Sequence, residues 1–594
     1  MARREEGAAR GKVTMWIMTA GAAAAAGLAV TTALMLPGPQ ATGQSGAQSS
    51  SFNSDNCEET VPRTSGQAAF PTAEGFGRFA KGGRGGVVYL VTSLDDKGPG
   101  TLRECAEASG PRTCVFRVSG TIVVDDWIKV MQPYLTIAGQ TSPGGIAIRI
   151  RNSLNSPMLV QTHDVVIRHI RLRPGASAKA SDNVDTIQIS GAAHDVILDH
   201  LSTSWPTDEG INIVGSGDVP FPCGETRDIS VQWSILSEGL NDANRGPHSR
   251  GSYFGYGARN VSFHHNLIAS NVRRNPLVNL RGNFDMINNV IYNSQQYNGE
   301  FYTRFGALAI NMIGNVAVVG PSSQKTNQLY LAAYFRDYPA PFDIYVRDNV
   351  DIHRPANNGD QRLVMPSRDW QYIRAAPVFP VSLSPAAITG PGQAYRDILA
   401  FGGATRPVRD TADKRLLNDM AVCKGQILNA PFQVGGWPVL PGGAAPMDQD
   451  KDGRADNWES AHGLSPADGR DGAQIASDGY SNLEHYLSSL AGDDIVQRAP
   501  SAMLPDPTCG FAIKDVGPLP EISIKAQPSQ LAAAGTTTLS WTGQNIKSCK
   551  LLGLGVPANG SRHVTAARTT TYQIACIGPQ GGDAIDTVVV RVGP

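Results

Sequence analysis

The chain has 594 residues, too many for one compact core, because domains rarely exceed roughly 250 to 300 residues before they divide. Its 64 glycines and 39 prolines, with only 17% charged residues, favour a turn-rich β protein over a helical one. The net charge of −1 excludes a generally basic nucleic-acid-binding protein, so no nucleic-acid partner is expected.

The N-terminus combines a basic leader with an apolar segment. Residues 1–12 read MARREEGAARGK, and an alanine-rich run follows from Val13 to Leu36. This order predicts an export signal, and the length of the run leaves an uncleaved membrane anchor as the alternative. We expect residues 1–55 to be a signal peptide or anchor with a flexible linker, and the rest to be secreted or tethered to the cell envelope.

A repeat follows a first region of short β-branched segments, Gly-rich turns and one short helix at Thr101 to Ala108. Each unit has a polar start, an alternating apolar strand, a polar step and a second apolar strand, and recurs at intervals of about 25 to 33 residues. The units begin at Tyr134, His163, His194, Arg227, Arg259, Phe284 and Ala309. Units that cannot bury an apolar face alone must stack, so an all-β fold with a parallel β-helix (solenoid) is predicted.

The stretch from Asn260 to Asn293 contains two such units with arginines between them. Side chains at the bends of a solenoid can stack from coil to coil and hydrogen-bond to turn backbone. We assign that role to His264, His265, Asn266, Asn288 and Asn289 rather than a catalytic one.

Arginines are concentrated between residues 149 and 281. A single arginine there can be a solvated turn residue, whereas the group indicates a local cationic surface.

Eight cysteines in an exported chain can form disulfides. Cys105 with Cys114 and Cys549 with Cys576 are the predicted pairs. Cys57, Cys223, Cys423 and Cys509 leave three connectivities open.

Beyond Val350 the repeat fades into Pro- and Asn-rich segments, which we expect to wrap or cap the solenoid. The latter half of residues 404–422 is predicted to be a short helix.

An acidic loop opens a predicted EF-hand-like module over residues 440–495. Acids stand at positions 1, 3, 5, 9 and 12 of a twelve-residue loop, which is the spacing of a calcium cage: Asp448, Asp450, Asp452, Asp456 and Glu459. Gly453 is at position 6, and Arg454 would supply a backbone carbonyl. A second half-site around Asp478 lacks the early acids and is expected to bind weakly or not at all. The region resembles calcium-stabilised linkers beside extracellular polysaccharide-degrading domains, which implies a structural role.

Short alternating strands over residues 518–594 predict a C-terminal β-sandwich that resembles bacterial Ig-like domains. A spacer and a carbohydrate-binding role remain alternatives.

Acids and arginines in the central coils form the candidate site. Asp185 starts one coil, and Asp208 and Glu209 end the next. Side chains one coil apart on the same wall are separated by about 4.8 Å. We therefore expect Asp185 and Asp208 or Glu209 to converge as a calcium site that faces Arg250 and Arg274.

The same segments resemble extracellular pectate lyases of polysaccharide lyase family 1, over residues of about 70 to 350. The motifs are AEGFGRFAKGGRGGVVYLVTSLDDKGPGTLRE, VSGTI, LTIAGQTSPGG, VIRHIRLRPG, VILDHLSTSWPTDE, VQWSILSEGLND, GPHSRG, FHHNLIASNVRRNP and NNVIYN. The resemblance implies a right-handed β-helix, taken here as a catalytic domain over residues 56–430, that cleaves pectate by Ca²⁺-dependent β-elimination. Its expected partner is this acidic plant cell-wall polysaccharide, bound by a monomer.

The resemblance also implies residue roles. Arg274 matches the catalytic base, and Asp185 matches a calcium ligand. Asp208 or Glu209 matches the other acidic ligands, and Arg250, with nearby His248, matches a cationic substrate-binding position. Two departures are Asn279, in place of a second substrate-binding arginine, and Asn183, a weaker metal ligand in place of an acid. Arg273 or Arg281 is the expected substitute for the missing arginine.

A guanidinium is ordinarily never deprotonated, so electrostatic stabilisation is the alternative role for Arg274. Other functions remain open: a non-catalytic polysaccharide-binding or adhesin β-helix, and a calcium-independent pectin lyase. A polygalacturonase is disfavoured, because its Asn-Thr-Asp, Gly-His-Gly and Arg-Ile-Lys motifs are absent.

Overall fold

The repeated apolar segments form short parallel strands that stack from coil to coil. In the computed structural model, the described residues are 65–151, 155–175, 184–216, 225–243, 246–323, 329–356, 358–493, 497–512, 520–579 and 583–593. The predicted signal peptide or anchor lies outside these ranges, as do Asn183, Cys57 and Cys223. Within the same ranges, no helix combines the length and the apolar character needed to cross a bilayer.

Three parallel sheets, each joining strands of successive coils, build the solenoid within the described residues. Sheet 1 consists of Val87–Val91, Arg112–Phe116, Leu135–Ala138, Val165–Arg168, His194–Asp199, Arg227–Gln232, Arg259–His264, Gly282–Ile287, Leu308–Ile313, Phe342–Arg347 and Ile373–Arg374. Sheet 2 consists of Gly120–Val124, Ile146–Ile150, Ile170–Leu172, Ser202–Ser204, Ile235–Ser237, Leu267–Ala269, Val290–Tyr292 and Val316–Val318. Sheet 3 consists of Ile128–Val130, Met158–Val160, Ile187–Ile189, Ile211–Val214, Ser252–Gly255, Leu277–Val278, Gly299–Tyr302 and Ala332–Phe335.

This arrangement is a right-handed parallel β-helix, with the hand that parallel crossovers almost always take. The predicted fold class is confirmed. The sequence predicted two strands in each unit, and the structure adds a third, in sheet 3. That strand was missed because the segment between it and the sheet 2 strand varies in length, from Val124 to Ile128 in one coil to Leu172 to Ile187 in another, so it keeps no fixed spacing in the repeat.

The interior of the solenoid is a column of aliphatic and aromatic side chains. Alternation along each strand directs every second residue inward. In sheet 1 the inward residues pair in register across the coils and are fully buried: Leu135, Val165, Val196, Ile229, Val261 and Phe284. Burial of such side chains stabilises the stack by roughly 1.5 to 3 kcal/mol each.

The bends between sheets 1 and 2 are made by residues with left-handed backbones. His169, His200, Trp233 and His265 have φ of 54°, 52°, 51° and 55°. The rings stack, with centroids 4.7 Å apart for His169 and His200 and 4.4 Å apart for Trp233 and His265. The stacking role predicted for His265 is confirmed, and His264 Nδ1 lies 3.1 Å from His265 Nδ1.

An asparagine ladder follows these bends. Asn266, Asn289, Asn315 and Asn349 are buried in successive coils. The backbone N–H groups of Asn266, Asn289 and Asn315 each donate to the side-chain oxygen of the next asparagine at 3.0 Å. The Asn289 amide also donates to the Phe263 carbonyl at 2.8 Å. The predicted stacking of Asn266 and Asn289 is confirmed.

The chain also contains short helices, and two helices from its C-terminal half pack on the solenoid. The α-helices are Leu102–Glu107, Pro391–Phe401, Thr411–Ala421, Asp456–Ala461 and Asn482–Ala491. In the part of the chain that the structure describes, 3₁₀ helices cover Phe76–Phe79, Gly139–Thr141, Gln361–Val364, Ser367–Tyr372, Pro431–Val434 and Asp471–Ala473. Pro391–Phe401 and Thr411–Ala421 pack on the outer face of sheet 2 through Tyr395, Ile398, Leu416, Leu417 and Met420. The two helices predicted from the sequence are confirmed as Leu102–Glu107 and Thr411–Ala421. Pro391–Phe401 was not predicted because it begins with a proline, although proline suits the first turn of a helix.

Residues 440–493 also pack against the solenoid. Ala455, Leu483, Tyr486 and Leu487 form one apolar cluster with Ala138. Arg168 is buried between Asp493, at 2.7 and 2.9 Å, and Asp199, at 2.7 Å. The alternative interpretation of such arginines as solvated turn residues is wrong for Arg168, because carboxylates surround it.

The C-terminal strands form two layers around a core that includes Trp541, antiparallel except where Gln530–Leu531 pairs in parallel with Asp583–Val592. One layer contains Glu521–Gln527, Gly535–Gln544 and Gly560–Ala566. The other contains Gln530–Leu531, Ser548–Leu551, Leu554–Val556, Thr570–Ile577 and Asp583–Val592. The predicted sandwich is confirmed.

Three disulfides link described residues, and one of them lies within the sandwich. The predicted Cys105–Cys114 and Cys549–Cys576 bonds are both present. A third bond joins Cys423 to Cys509.

We expect Asn289→Ala to lower the free energy of unfolding by about 2 kcal/mol or more, because buried backbone groups lose their partners. Chemical denaturation followed by circular dichroism would measure the change. The exposed Asn358 provides a control, and Asn358→Ala should shift stability by less than about 0.5 kcal/mol. Equal losses in the two variants would contradict a structural role for the ladder.

Candidate active site

Sheet 3 brings residues distant in sequence to one edge of the solenoid. Ile187 pairs with Ile211, and Ile211 pairs with Ser252, in parallel register. Asp185, Glu209 and Arg250 each stand two residues before one of these strand positions. Because neighbouring strands lie about 4.8 Å apart, these residues form a row across successive coils.

Asp185, Asp208 and Glu209 converge as predicted, with one carboxylate oxygen of each within 4.8 Å of the others. Asp185 is buried and accepts hydrogen bonds from Glu209 N at 3.0 Å and Asn212 Nδ2 at 2.9 Å. Burial, together with the charge of Asp208, raises the pKa of Asp185 well above its usual value. The cluster therefore concentrates negative charge that a cation would stabilise.

Arg274 faces this cluster from two coils further along sheet 3. Its guanidinium forms an ion pair with Glu209 and lies 3.8 Å from Asp208 Oδ1. It also lies 5.6 Å from the centre of the Tyr253 ring, a distance suited to a cation–π contact. The side chain keeps 28% of its surface exposed, so it remains accessible to a ligand.

The turn that carries Arg274 is held by backbone and buried polar contacts. Arg274 has φ of 61°, an uncommon left-handed conformation for a side chain of this size. Its N–H donates to Glu300 Oε1 at 2.7 Å, and its carbonyl accepts from Ser252 N at 2.7 Å. A Cβ at Gly251 would lie 2.3 Å from that carbonyl oxygen, so glycine is required for the close approach. The backbone geometry fixes the direction of the Arg274 side chain.

His248 and Arg250 line the same edge. His248 Nε2 lies 2.9 Å from Asp208 Oδ1. Arg250 Nη1 donates to Ser249 O at 3.4 Å, and its Nε has no hydrogen-bond partner among the described residues. Burial and the neighbouring Arg273 lower the pKa of Arg250. Arg250 is thus a cation that an anionic ligand would stabilise.

The residues expected to replace the missing second arginine have different surroundings. Arg273 Nε lies 3.1 Å from both carboxylate oxygens of Glu300, so this contact set favours a structural role over the predicted substrate-binding role. Asn279 is buried and accepts from Arg304 N at 3.1 Å. Arg281 is partly exposed, and its stem lies beside Gly306.

Sequence reasoning missed three residues that hold the site. Asn212 fixes Asp185, Tyr253 lies under Arg274, and Glu300 holds both Arg273 and Arg274. Asn212 and Tyr253 are the polar or aromatic members of alternating sheet 3 strands, a signal that becomes visible only once those strands are recognised.

The acids fit a calcium ion by ligand type and by charge. Calcium prefers carboxylate and carbonyl oxygens. Within the described residues, Glu209 Oε1 is buried and has the Arg274 ion pair as its contact, with no further hydrogen-bond donor. Asn183, the other predicted ligand, lies outside the described residues.

The loop of residues 448–459 forms a second acidic cluster. Carboxylate oxygens of Asp448, Asp450 and Asp452 lie within 4.8 Å of one another, and Asp452 and Glu459 form a second such group with Asp471. Both Glu459 oxygens are buried, and among the described residues Oε1 has the Arg454 guanidinium 2.9 Å away whereas Oε2 has no hydrogen-bond donor. Burial raises the pKa of Glu459 to about 7. These oxygens fit calcium.

Two features of this loop differ from the sequence-based expectation. The Arg454 side chain, predicted to matter only through its carbonyl, is buried and forms ion pairs with Asp452, Glu459 and Asp471. Asp456, predicted as the position-9 ligand, accepts from Gln449 N at 2.8 Å. Asp471, which the twelve-residue pattern could not reveal, comes from the following 3₁₀ helix.

Comparison with known proteins gives close relatives over most of the chain. A probable pectate lyase C of Aspergillus terreus is 32% identical over 432 residues, covering 71% of this chain and 94% of that protein. The probable pectate lyase C of Aspergillus fumigatus is 32% identical over 431 residues, covering 71% and 93%. Among solved structures, the cedar pollen allergen Jun a 1 aligns with 17% identity and a TM-score of 0.40, covering 56% of this chain and 92% of that one.

No protein-family model matches the chain. The identity to the Aspergillus proteins extends over nearly their whole length. On this similarity, the chain belongs to the pectate lyase family.

Proposed function

We propose that the chain is an extracellular pectate lyase that cleaves polygalacturonate by calcium-dependent β-elimination. The observation that carries the proposal is the convergence of three carboxylates and Arg274 at one edge of sheet 3. The names of the Aspergillus relatives support the same activity. The basic leader and apolar segment at residues 1–36 support export.

In this proposal Asp185, Asp208 and Glu209 hold the catalytic calcium, and Asn212 orients Asp185. When bound, calcium would withdraw charge through the uronate carboxylate and acidify the adjacent C5 proton. His248 orients Asp208 by its contact at 2.9 Å. The chain's own ligands thus set the place where a uronate must lie.

Arg274 acts at the C5 proton or at the negative charge that develops when this proton leaves. Its left-handed backbone and the ion pair with Glu209 hold the guanidinium at the acid cluster. A fixed donor needs little reorganisation when charge develops, so it stabilises the intermediate effectively. Arg250, whose Nε lacks a partner among the described residues, is the proposed ligand for a second substrate carboxylate.

A separate calcium ion is proposed for the loop of residues 448–459, with Asp448, Asp450, Asp452 and Glu459 as ligands. The buried Glu459 oxygens support this assignment. Since the loop lies against the solenoid through an Arg117–Asp448 ion pair at 3.4 Å, its proposed role is structural.

Purified protein with polygalacturonate and calcium should release unsaturated products that absorb in the ultraviolet, and chelator should abolish the signal, because the acid cluster needs a divalent cation. Absorbance that persists in chelator would favour a calcium-independent pectin lyase. Binding without absorbance would favour a non-catalytic polysaccharide-binding protein.

Arg274→Lys should lower kcat by about 10²-fold to 10⁴-fold, the range expected for loss of a positioned proton-transfer group. The lysine keeps the charge but loses the planar guanidinium. Arg347→Lys, at an exposed arginine of sheet 1, is the matched control and should retain activity. Turnover retained in Arg274→Lys would place the chemistry elsewhere.

Glu459→Gln should abolish most of the calcium-induced rise in the thermal unfolding midpoint, because a ligand that binds only the folded state stabilises it. Differential scanning calorimetry with and without calcium would measure the rise. Asp185→Asn is the matched comparison: it should remove calcium-dependent activity but keep most of the thermal rise. If calcium raises the unfolding midpoint of Glu459→Gln as much as that of wild type, the loop is not the calcium site that stabilises the fold.

A further inference from the structure

We propose that the C-terminal β-sandwich positions the turn that carries Arg274, through Asp583 and Tyr297. This inference rests on the proposed lyase function, because it gives the sandwich a part in placing the group that acts on the substrate. Asp583 and Tyr297 are positioning residues, since they reach Arg274 only through other side chains.

The first link joins the sandwich to the solenoid. Asp583 is the first residue of the strand Asp583–Val592. Its backbone N–H donates to the hydroxyl of Tyr297 at 3.1 Å. Its carboxylate Oδ2 lies 3.9 Å from Arg273 Nη1. The sandwich therefore touches the residue adjacent to Arg274 in sequence.

The second link lies inside the solenoid. Arg273 packs over the Tyr297 ring at 5.2 Å from its centre and binds both carboxylate oxygens of Glu300. Glu300 is fully buried, and its Oε1 accepts the backbone N–H of Arg274 at 2.7 Å. One carboxylate thus holds the side chain of Arg273 and the backbone of Arg274, so a displaced Arg273 would alter both contacts.

Aromatic rings pack against one another beside these contacts. Tyr302 and Phe335 stack with centroids 4.7 Å apart, and Tyr297 meets Phe335 edge-on at 5.4 Å. Despite its burial, the pKa of Glu300 is lowered, because Arg273 stabilises its charged form. The Arg273 and Asp583 side chains keep 23% and 32% of their surface exposed, so water partly screens the pair, and a charge reversal at Asp583 replaces attraction by repulsion.

The sandwich has a second contact with the solenoid that provides a control. Arg368 Nη1 donates to Pro520 O at 2.7 Å and lies 4.0 Å from Glu521 Oε1. A cleft of about 360 Å³ is lined by Arg368, Glu521 and Asp583. Asp583 and Glu521 are therefore acids of one junction that each face an arginine of the solenoid. Among the described residues, Glu521 forms its ion pair with Arg368 and not with Arg273.

The test compares two charge reversals in the full-length chain, Asp583→Lys and Glu521→Lys. Asp583→Lys places a cation against Arg273 and should lower kcat about 10-fold to 10²-fold, as expected for a displaced catalytic group. KM for polygalacturonate should change by less than about 2-fold, since Asp583 does not touch substrate in this proposal. Glu521→Lys should leave kcat within about 2-fold of wild type. Asp583→Glu keeps the negative charge and should therefore also retain a kcat close to that of wild type.

Hydrogen–deuterium exchange gives a readout that does not depend on activity. The Arg274 N–H donates to Glu300, so peptides covering residues 271–276 should exchange faster in Asp583→Lys and not in Glu521→Lys. If Asp583→Lys fails to fold, Tyr297→Phe removes only the hydroxyl that accepts from Asp583 N, and should give the same direction of change at about 3-fold in kcat.

Equal kcat and equal exchange in the two reversals would overturn the positioning role, as would an effect on KM alone. Wild-type protein without elimination activity would overturn the proposed function, and the exchange comparison would still decide the link between sandwich and turn.

Discussion

The fixed spacing of parallel coils is the constraint on which the candidate site depends. Each coil advances by about 4.8 Å, so residues at equivalent positions of neighbouring coils lie at contact distance however far apart they are in sequence. Asp185 and Glu209 belong to adjacent coils, and Arg274 joins them from two coils beyond Glu209. Parallel strand pairing sets this spacing at the site, and the asparagine ladder continues the stack from Asn266, in the coil of Arg274, into the coils that follow. The register of the parallel strands therefore sets both the order of the coils and which residues meet at the candidate site.

The sequence was sufficient for features that depend on periodicity or on a long motif. The solenoid followed from the repeat, and the meeting of Asp185 with Asp208 and Glu209 followed from one coil of offset. Glu300 could not be found in this way, because its role comes from contacts with Arg273 and the Arg274 backbone in a neighbouring coil. Asp471 was missed for a similar reason, since it joins the acidic loop from outside the twelve-residue pattern.

The acidic cluster of sheet 3 and the acidic loop of residues 448–459 each meet an arginine, but the two arginines differ in exposure. Arg274 faces the sheet 3 cluster with a partly exposed side chain, in reach of a ligand. Arg454 is fully enclosed by Asp452, Glu459 and Asp471. A buried arginine with carboxylate partners stabilises one arrangement of the loop, whereas an exposed one can exchange its partner for substrate. This contrast favours catalysis at the first cluster and structure at the second.

The arginines concentrated between residues 149 and 281 include two groups that differ in the acids they meet. Arg168, Arg173 and Arg273 each meet an acid from the C-terminal half: Asp493, Asp413 and Asp583. Ion pairs of this kind attach later segments of the chain to early coils. These arginines therefore hold the chain's own segments together rather than form a surface for pectate. Arg250 and Arg274 differ, because each offers a guanidinium atom to the edge of sheet 3. Under the proposed function, docking falls to Arg273 and chemistry to the adjacent Arg274, so the turn that carries Arg274 is sensitive to the segment docked beside it.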